Sequence, residues 1–482
     1  MKNGEEKKMV FDYAILGGGI VGTAIFNKLT RVGKKVILLE KGSDVAIGTT
    51  KANTGLVHAG FDAKPGTLKA ILNVKGSKMM ADLCKRLFVP YKQNGALVVG
   101  NDLKQLKKLY ERGIKNKVQG LSIIGKDQLA KLVPNLNKSV KYGLYAKTAG
   151  IVSPYELAIA LAEEAVINSA KFKFNFDLKA VEQNNGIYIL RSDKDLIRTK
   201  GIINCTGAAY NEVAKIIGAE QYPTIYRVGE YYLLDKSESS LTNLTVFPLP
   251  TETSKGVVVT PTVDGNILIG PNAVEIKEVS TRTSADGLRE VKANALEIFP
   301  SIKFNKNIRN FAGVRSVVGD DFVIEKSKRL DNVINVAGIC SPGLTAAPAI
   351  ADMVVRELLE INTKEKKMKS RKPLIHTKEL TDIELNKLIK KDKNYGRIVC
   401  RCEQVTAGEI IAALNSPLKP MSIDGIKRRT KAGMGRCQGG FCLVDELALI
   451  AKYKKIPMEK IYKENSNSNY IIADIKKLGD KD

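Results

Sequence analysis

Tryptophan is absent from this 482-residue chain, and histidine occurs only at His58 and His376. A centre built from several imidazoles is therefore excluded, and any step that needs one must use one of these two. Aromatic residues make up 6% of the chain, too few to interleave with its cations as stacking platforms for bases. No run approaches the eighteen apolar residues of a membrane-spanning helix. Acidic residues are in deficit, 51 against 77 lysines and arginines, a formal charge of +26. The lysines are spread along the whole sequence, which reads as solvated faces and argues against nucleic acid as a partner. A weak contact with an anionic membrane surface fits the same charge. Residues 1–9 mix acids and lysines without an apolar core, so no secretory segment is expected. The expected location is cytoplasmic, with peripheral contact at the inner face of the cell membrane.

Glycine, in contrast, is well placed. Residues 11–16 form a short apolar run that reads as a buried strand, and Gly17-Gly18-Gly19-Ile20-Val21-Gly22 follows it without a gap. Gly17 permits the tight turn, Gly19 lets backbone approach a pyrophosphate, and Gly22 lets a helix over 23–30 pack on the strand. The helix N-terminus then favours negative charge. A second strand over 35–39 ends at Glu40, eighteen residues past Gly22 and placed to accept hydrogen bonds from a ribose. This is a dinucleotide site. Two later segments repeat the logic: a strand over 201–204 runs into Cys205-Thr206-Gly207-Ala208-Ala209, and a strand over 333–337 runs into Gly338–Thr345 and a helix over 346–359.

With Asn53–Gly60, Lys64–Ala70, Thr148–Val152 and Gly313-Val314-Arg315, these stretches resemble the D-amino-acid-oxidase-type FAD oxidoreductases. Within them the chain is most similar to the anaerobic-type glycerol-3-phosphate dehydrogenases, and next to L-2-hydroxyglutarate dehydrogenases. The resemblance implies that FAD lies against Thr49, Thr50, Asn53, Thr54 and Gly55, then Val181, Thr206 and Gly207, and finally Gly313, Gly338, Gly343, Leu344 and Thr345.

Four of the seven cysteines, Cys400, Cys402, Cys437 and Cys442, share a window of 43 residues. In a reducing compartment clustered thiols bind metal more often than they form disulfides. Four thiolates suit an iron–sulfur cluster and also structural zinc. Zinc sites usually pair Cys-x2-Cys, whereas Cys-x-Cys joined to Cys-x4-Cys is similar to the [2Fe–2S] domain of bacterioferritin-associated ferredoxins. Within that resemblance, glycines 433, 435, 439 and 440 expose amides to sulfur, and Lys427-Arg428-Arg429 offset cluster charge. Cys84, Cys205 and Cys340 read as packed thiols.

The expected fold is α/β: a Rossmann-like FAD-binding domain (10–90, 141–220, 308–361) interleaved with an α+β substrate cap (91–140, 221–307). A connector over 362–394 carries one helix at 381–391, followed by a small [2Fe–2S] domain over 395–450 and an extension over 451–482. The resemblance places His58 beside the flavin, where a neutral imidazole accepts a hydroxyl proton. Arg315, in place of a buried salt bridge, would hold an anionic substrate by a bidentate contact, with Lys255 as a second cation and Ser341 as a hydroxyl partner. The expected activity is oxidation of sn-glycerol 3-phosphate to dihydroxyacetone phosphate, hydride passing to flavin N5 and electrons leaving singly through the cluster to a partner subunit or carrier. A 2-hydroxy-acid dehydrogenase, an amine or imino-acid oxidising subunit and a non-catalytic electron-transfer subunit are the alternatives.

Overall fold

The computed structural model describes residues 9–250 and 256–473; Lys255 lies outside the described residues. Five parallel strands centre an eight-stranded sheet in the order Lys171–Lys173, Val36–Leu39, Val10–Leu16, Leu196–Asn204, Val333–Ala337. Val36–Leu39 and Val333–Ala337 are buried at every position, as strands covered on both faces require. The hairpin Ala180–Asn184 and Ile187–Arg191 pairs with the first half of Leu196–Asn204, and Val323–Lys326 closes the other edge. Helices Ile20–Arg31, Leu68–Leu87, Pro154–Ile167 and Gly343–Met353 share one apolar core on this sheet.

The helix expected over 346–359 begins earlier, at Gly343, and passes into a π-helical turn at Val354–Leu358. Pro342 caps it, where its missing N–H costs nothing because the first turn has no intrahelical acceptor to offer.

A second, nine-stranded mixed sheet runs Val274–Ile276, Ile225–Leu234, Ile267–Ile269, Val259–Pro261, Thr245–Pro248, Ala96–Gly100, Tyr142–Ala146, Leu121–Gly125, with Asn307–Val317 also on Ile225–Leu234. Tyr142–Ala146 and Asn307–Val317 thus belong to the cap sheet, although residue boundaries 141 and 308 set them with the nucleotide half. Their partners lie across those boundaries, which local pattern does not reveal.

The connector helix is Asp382–Lys391, held by a capping box between Thr381 and Glu384. Ahead of it, residues 365–371 lie as a strap over the helical layer. Glu365 pairs with Lys28 and Arg31, the Lys366 amide donates to Arg31 O (2.7 Å), and Arg371 pairs with Glu163 (3.0 Å). The cysteine-bearing unit packs helices Ala407–Leu414, Ile423–Thr430 and Leu443–Lys454 around Ile410, Ile426 and Ile450. A boundary at 450 cuts through the last helix, and Ile461, fully buried, completes the same core. Residues 451–461 are therefore part of this unit.

Candidate active site and iron–sulfur site

The first glycine turn is built as its spacing demands. Gly17 has φ +99°, and a Cβ on Gly22 would fall 2.0 Å from Gly17 O, so helix Ile20–Arg31 can meet the strand only without a side chain there. Gly19 is the N-cap of that helix, and the Ile20 amide donates to Thr50 Oγ1 (2.9 Å). Glu40 accepts from the Gly18 amide (2.6 Å) and the Gly42 amide (2.8 Å). Burial raises its pKa, and those two amides oppose the shift.

Beside this turn opens a cavity of about 1120 Å³, long enough in its lining to run from Glu40 to Arg315. Gly17, Gly19, Glu40, Thr49, Thr50, Asn53 and Thr54 line one stretch of it, with Thr206 and Gly207 opposite. Gly313, Gly343 and Leu344 line the stretch nearer the second sheet. A Cβ at Gly313 would come within 2.1 Å of Ala52 O, so the Thr49–Lys51 turn can press against that strand. Thr49 Oγ1 donates to Val314 O (2.6 Å), which fixes the contact. Gly22, Gly55, Gly338 and Thr345 stand behind the lining as packing positions. Thr345 has a specific task, since its Oγ1 accepts the His58 amide (2.9 Å). Val181 sits on the hairpin strand Ala180–Asn184, away from the lining. Its strand pairs with Ile187–Arg191, and its side chain packs on the cluster that holds Leu39.

At the far end, His58 Nε2 and Ser341 Oγ lie 3.2 Å apart, both facing the cavity. Phe247, Tyr231 and Val258 supply apolar wall. Arg315 comes from the long strand Asn307–Val317; one Nη donates to Asn272 O (2.8 Å), and its Nε is buried without a partner. Its partners among the described residues are the backbone carbonyls of Asn272 and Val228 and no acid, so the salt-bridge alternative does not hold. A cationic group that lines a cavity is suited to an anion. Lys64, Lys69 and Arg227 also line the cavity. Sequence reasoning passed over them because nothing distinguishes them from the many surface cations around them.

The residues present fit FAD: a glycine cradle, a helix N-terminus and a buried acid lie in line in one cavity.

Cys400 ends strand Ile398–Cys400 and Cys442 caps helix Leu443–Lys454, both buried; Cys402 is exposed and Cys437 half-buried. Among the described residues no three or more His, Cys, Asp or Glu side chains converge as a single-ion site. The four thiols instead stand as two pairs, Cys402 with Cys437 at 3.5 Å and Cys400 beside Cys442 in the core of the unit. Two pairs suit a two-iron centre in which each iron takes two thiolates. The hydrogen bond from Cys442 draws Cys400 down to about 6 against the cost of burial, aided by the Gly433 and Glu403 amides.

Arg428 and Arg429 were expected to offset cluster charge, and here the structure differs. Both guanidinium groups are spent on Asp44, which is fully buried, with further partners in Glu464 for Arg428 and Glu163 for Arg429. They join the cysteine-bearing unit to the loop that follows strand Val36–Leu39, because a buried carboxylate needs them more than an exposed loop does.

Comparison with known proteins agrees with both cofactors. Residues 12–357 match the family "FAD dependent oxidoreductase", and residues 398–452 match "BFD-like [2Fe-2S] binding domain". A glycerol 3-phosphate dehydrogenase of Caloramator mitchellensis is 41% identical over 473 residues, covering 96% of this chain and 98% of that protein. A glycerol 3-phosphate oxidase of Mycoplasma genitalium is 34% identical, covering 74% of this chain and 96% of its own. Among solved structures, the dithionite-reduced L-alpha-glycerophosphate oxidase of Mycoplasma pneumoniae with FAD bound is similar with a TM-score of 0.69 at 29% identity, over 75% of this chain and 97% of that one. No described helix is long and apolar enough to cross a membrane. The chain belongs to the FAD dependent oxidoreductases, and it carries a BFD-like [2Fe–2S] domain behind its catalytic half.

Proposed function

We propose that this enzyme oxidises sn-glycerol 3-phosphate to dihydroxyacetone phosphate. The observation that carries the reading is Arg315, a cation that lines the same cavity as the His58–Ser341 pair. A small molecule with a hydroxyl at one end and a dianionic phosphate at the other matches that separation of roles. The relatives named for this substrate match most of the chain.

Bound FAD supplies a two-electron acceptor and the cluster a one-electron exit. The chain's own residues do the rest. His58 Nε2 takes the proton of the secondary hydroxyl as its O–H bond breaks and the carbonyl forms, with Nδ1 carrying the proton that sets the tautomer. Ser341 Oγ, 3.2 Å from that nitrogen, holds the hydroxyl in line. Arg315 fixes the phosphate, and Lys255 adds the second positive charge. Phe247 and Val258 exclude water from the reacting carbon. The cysteine pairs Cys400–Cys442 and Cys402–Cys437 hold the cluster, and the exposed Cys402 side is where a partner subunit or carrier collects electrons. The surplus of lysine suits work in the cytoplasm at the inner membrane face.

The test is anaerobic mixing with glycerol 3-phosphate, glycerol or L-2-hydroxyglutarate while the flavin band near 450 nm is followed (roughly where oxidised flavins absorb). Rapid bleaching by glycerol 3-phosphate alone is expected. Bleaching by L-2-hydroxyglutarate and not by the phosphate would overturn the reading.

A further inference from the structure

The Glu40 end of the cavity is closed by a segment that follows the cysteine unit, 421 residues away along the chain from the loop it touches. Residues 463–468 form a compact turn: the Lys463 amide donates to Ser468 O (2.8 Å), the Glu464 amide to Ser468 Oγ (3.1 Å) and the Ser468 amide to Asn465 O (3.1 Å). That turn places Asn465 and Ser466 in the cavity lining with Glu40, Lys41 and Gly42. The approach is close, since a Cβ on Gly42 would stand 3.2 Å from Asn465 Oδ1.

The turn is anchored on both sides. Glu464 accepts the Ser43 hydroxyl through its carbonyl, and its carboxylate pairs with Lys51 and Arg428. Lys51 belongs to the same turn as Thr50, whose hydroxyl holds the Ile20 amide at the phosphate-facing helix end. Arg428 reaches Asp44 (3.1 Å) and Arg429 reaches it twice (2.6 and 3.0 Å). From the cysteine unit, the Ile423 amide donates to Tyr462 O (3.2 Å) and the Asp424 amide to Lys463 O (2.8 Å). Both walls of the Glu40 end, the 42–51 loop and the 463–468 turn, are thus tied to helix Ile423–Thr430.

Glu40 already accepts two backbone amides, so an adenosine at this end needs further polar partners. An asparagine amide and a serine hydroxyl each donate and accept, which suits ribose hydroxyls and adenine ring nitrogens. We propose that Asn465 and Ser466 are ligands of the adenosine half of FAD, and that the [2Fe–2S] domain holds them in place through Glu464 and Arg428. The catalytic half therefore does not complete its own cofactor site. This inference rests on FAD occupying the cavity and is independent of which substrate is oxidised.

The experiment is dilution of the holoenzyme, with FAD release read as recovery of flavin fluorescence and every sample scored at a full complement of iron. N465A/S466A should release FAD about tenfold faster, the effect of two lost hydrogen bonds to a ligand. The ADP concentration that halves the initial rate of FAD rebinding, which equals the ADP dissociation constant, should rise by a similar factor, because ADP carries only the adenosine half. E464Q, which keeps both ligands and weakens their anchor, should show a smaller increase in release. Release within twofold of the unsubstituted enzyme in N465A/S466A would overturn the proposal. So would faster release with no change in the ADP requirement, which would place the loss at the flavin end.

Discussion

The two ends of the cofactor cavity are closed by different means. The reactive end is finished by side chains from the second sheet and the Gly338–Leu344 turn, with His58, Ser341 and Arg315 meeting from three distant stretches of one catalytic half. The Glu40 end is finished by a turn that reaches it only because the cysteine unit is docked by Asp44, Arg428 and Arg429. Chemistry is thus self-contained, whereas cofactor retention is shared with the electron-exit domain. A chain that loses its cluster domain would keep its reactive groups and release FAD faster.

The largest effect should come from the feature on which both ends depend. Gly22→Val drives a side chain into Gly17 O and should yield protein without bound FAD, read as the flavin-to-protein absorbance ratio after purification. Next, His58→Ala should retain FAD and cluster while turnover falls by roughly 10²–10⁴-fold, the usual loss of a general base. An unchanged kcat would remove His58 from the mechanism. At the other end, Arg429→Met leaves Asp44 buried with one partner fewer, and removing one member of such a pair costs about 3–5 kcal/mol. Denaturant should then release flavin and cluster at clearly lower concentration, while KM stays close to that of the unsubstituted enzyme. Arg315→Lys, which keeps the charge but not the planar fork, should raise KM about tenfold with little change in FAD release.

The smallest effect concerns pH. The Glu409 carboxylate, 3.6 Å from Nδ1, raises the His376 pKa above its ordinary value of 6.5. A raised folded-state pKa contributes stability that is fully present below about 6.5 and fades as pH rises through the folded value. Unfolding of the cysteine unit should accordingly become easier as pH rises above about 6.5, and His376→Gln should flatten that slope.

The same contrast explains what the sequence discloses. The strand, glycine turn, helix and Glu40 lie within thirty residues of one another or so, and each is fixed by local rules, so their positions match the structure closely. His58, Ser341 and Arg315 are individually unremarkable; only the resemblance to a family joined them, and the structure brings them into one cavity. Arg428 and Arg429 were read with the cysteines beside them because their true partner, Asp44, lies 384 and 385 positions away. Asn465 and Ser466 sit in a Ser- and Asn-rich stretch that reads as solvent-exposed tail, and no local signal marks them as lining. The Val181 position followed the family pattern, and its side chain packs on the cluster that holds Leu39.

The most direct measurement is EPR of the cluster after anaerobic addition of glycerol 3-phosphate to the full-length holoenzyme, beside the His58→Ala variant. The account predicts a reduced [2Fe–2S] signal in the unsubstituted enzyme, and in the variant only after dithionite. A cluster that dithionite reduces but glycerol 3-phosphate leaves oxidised in both would contradict it.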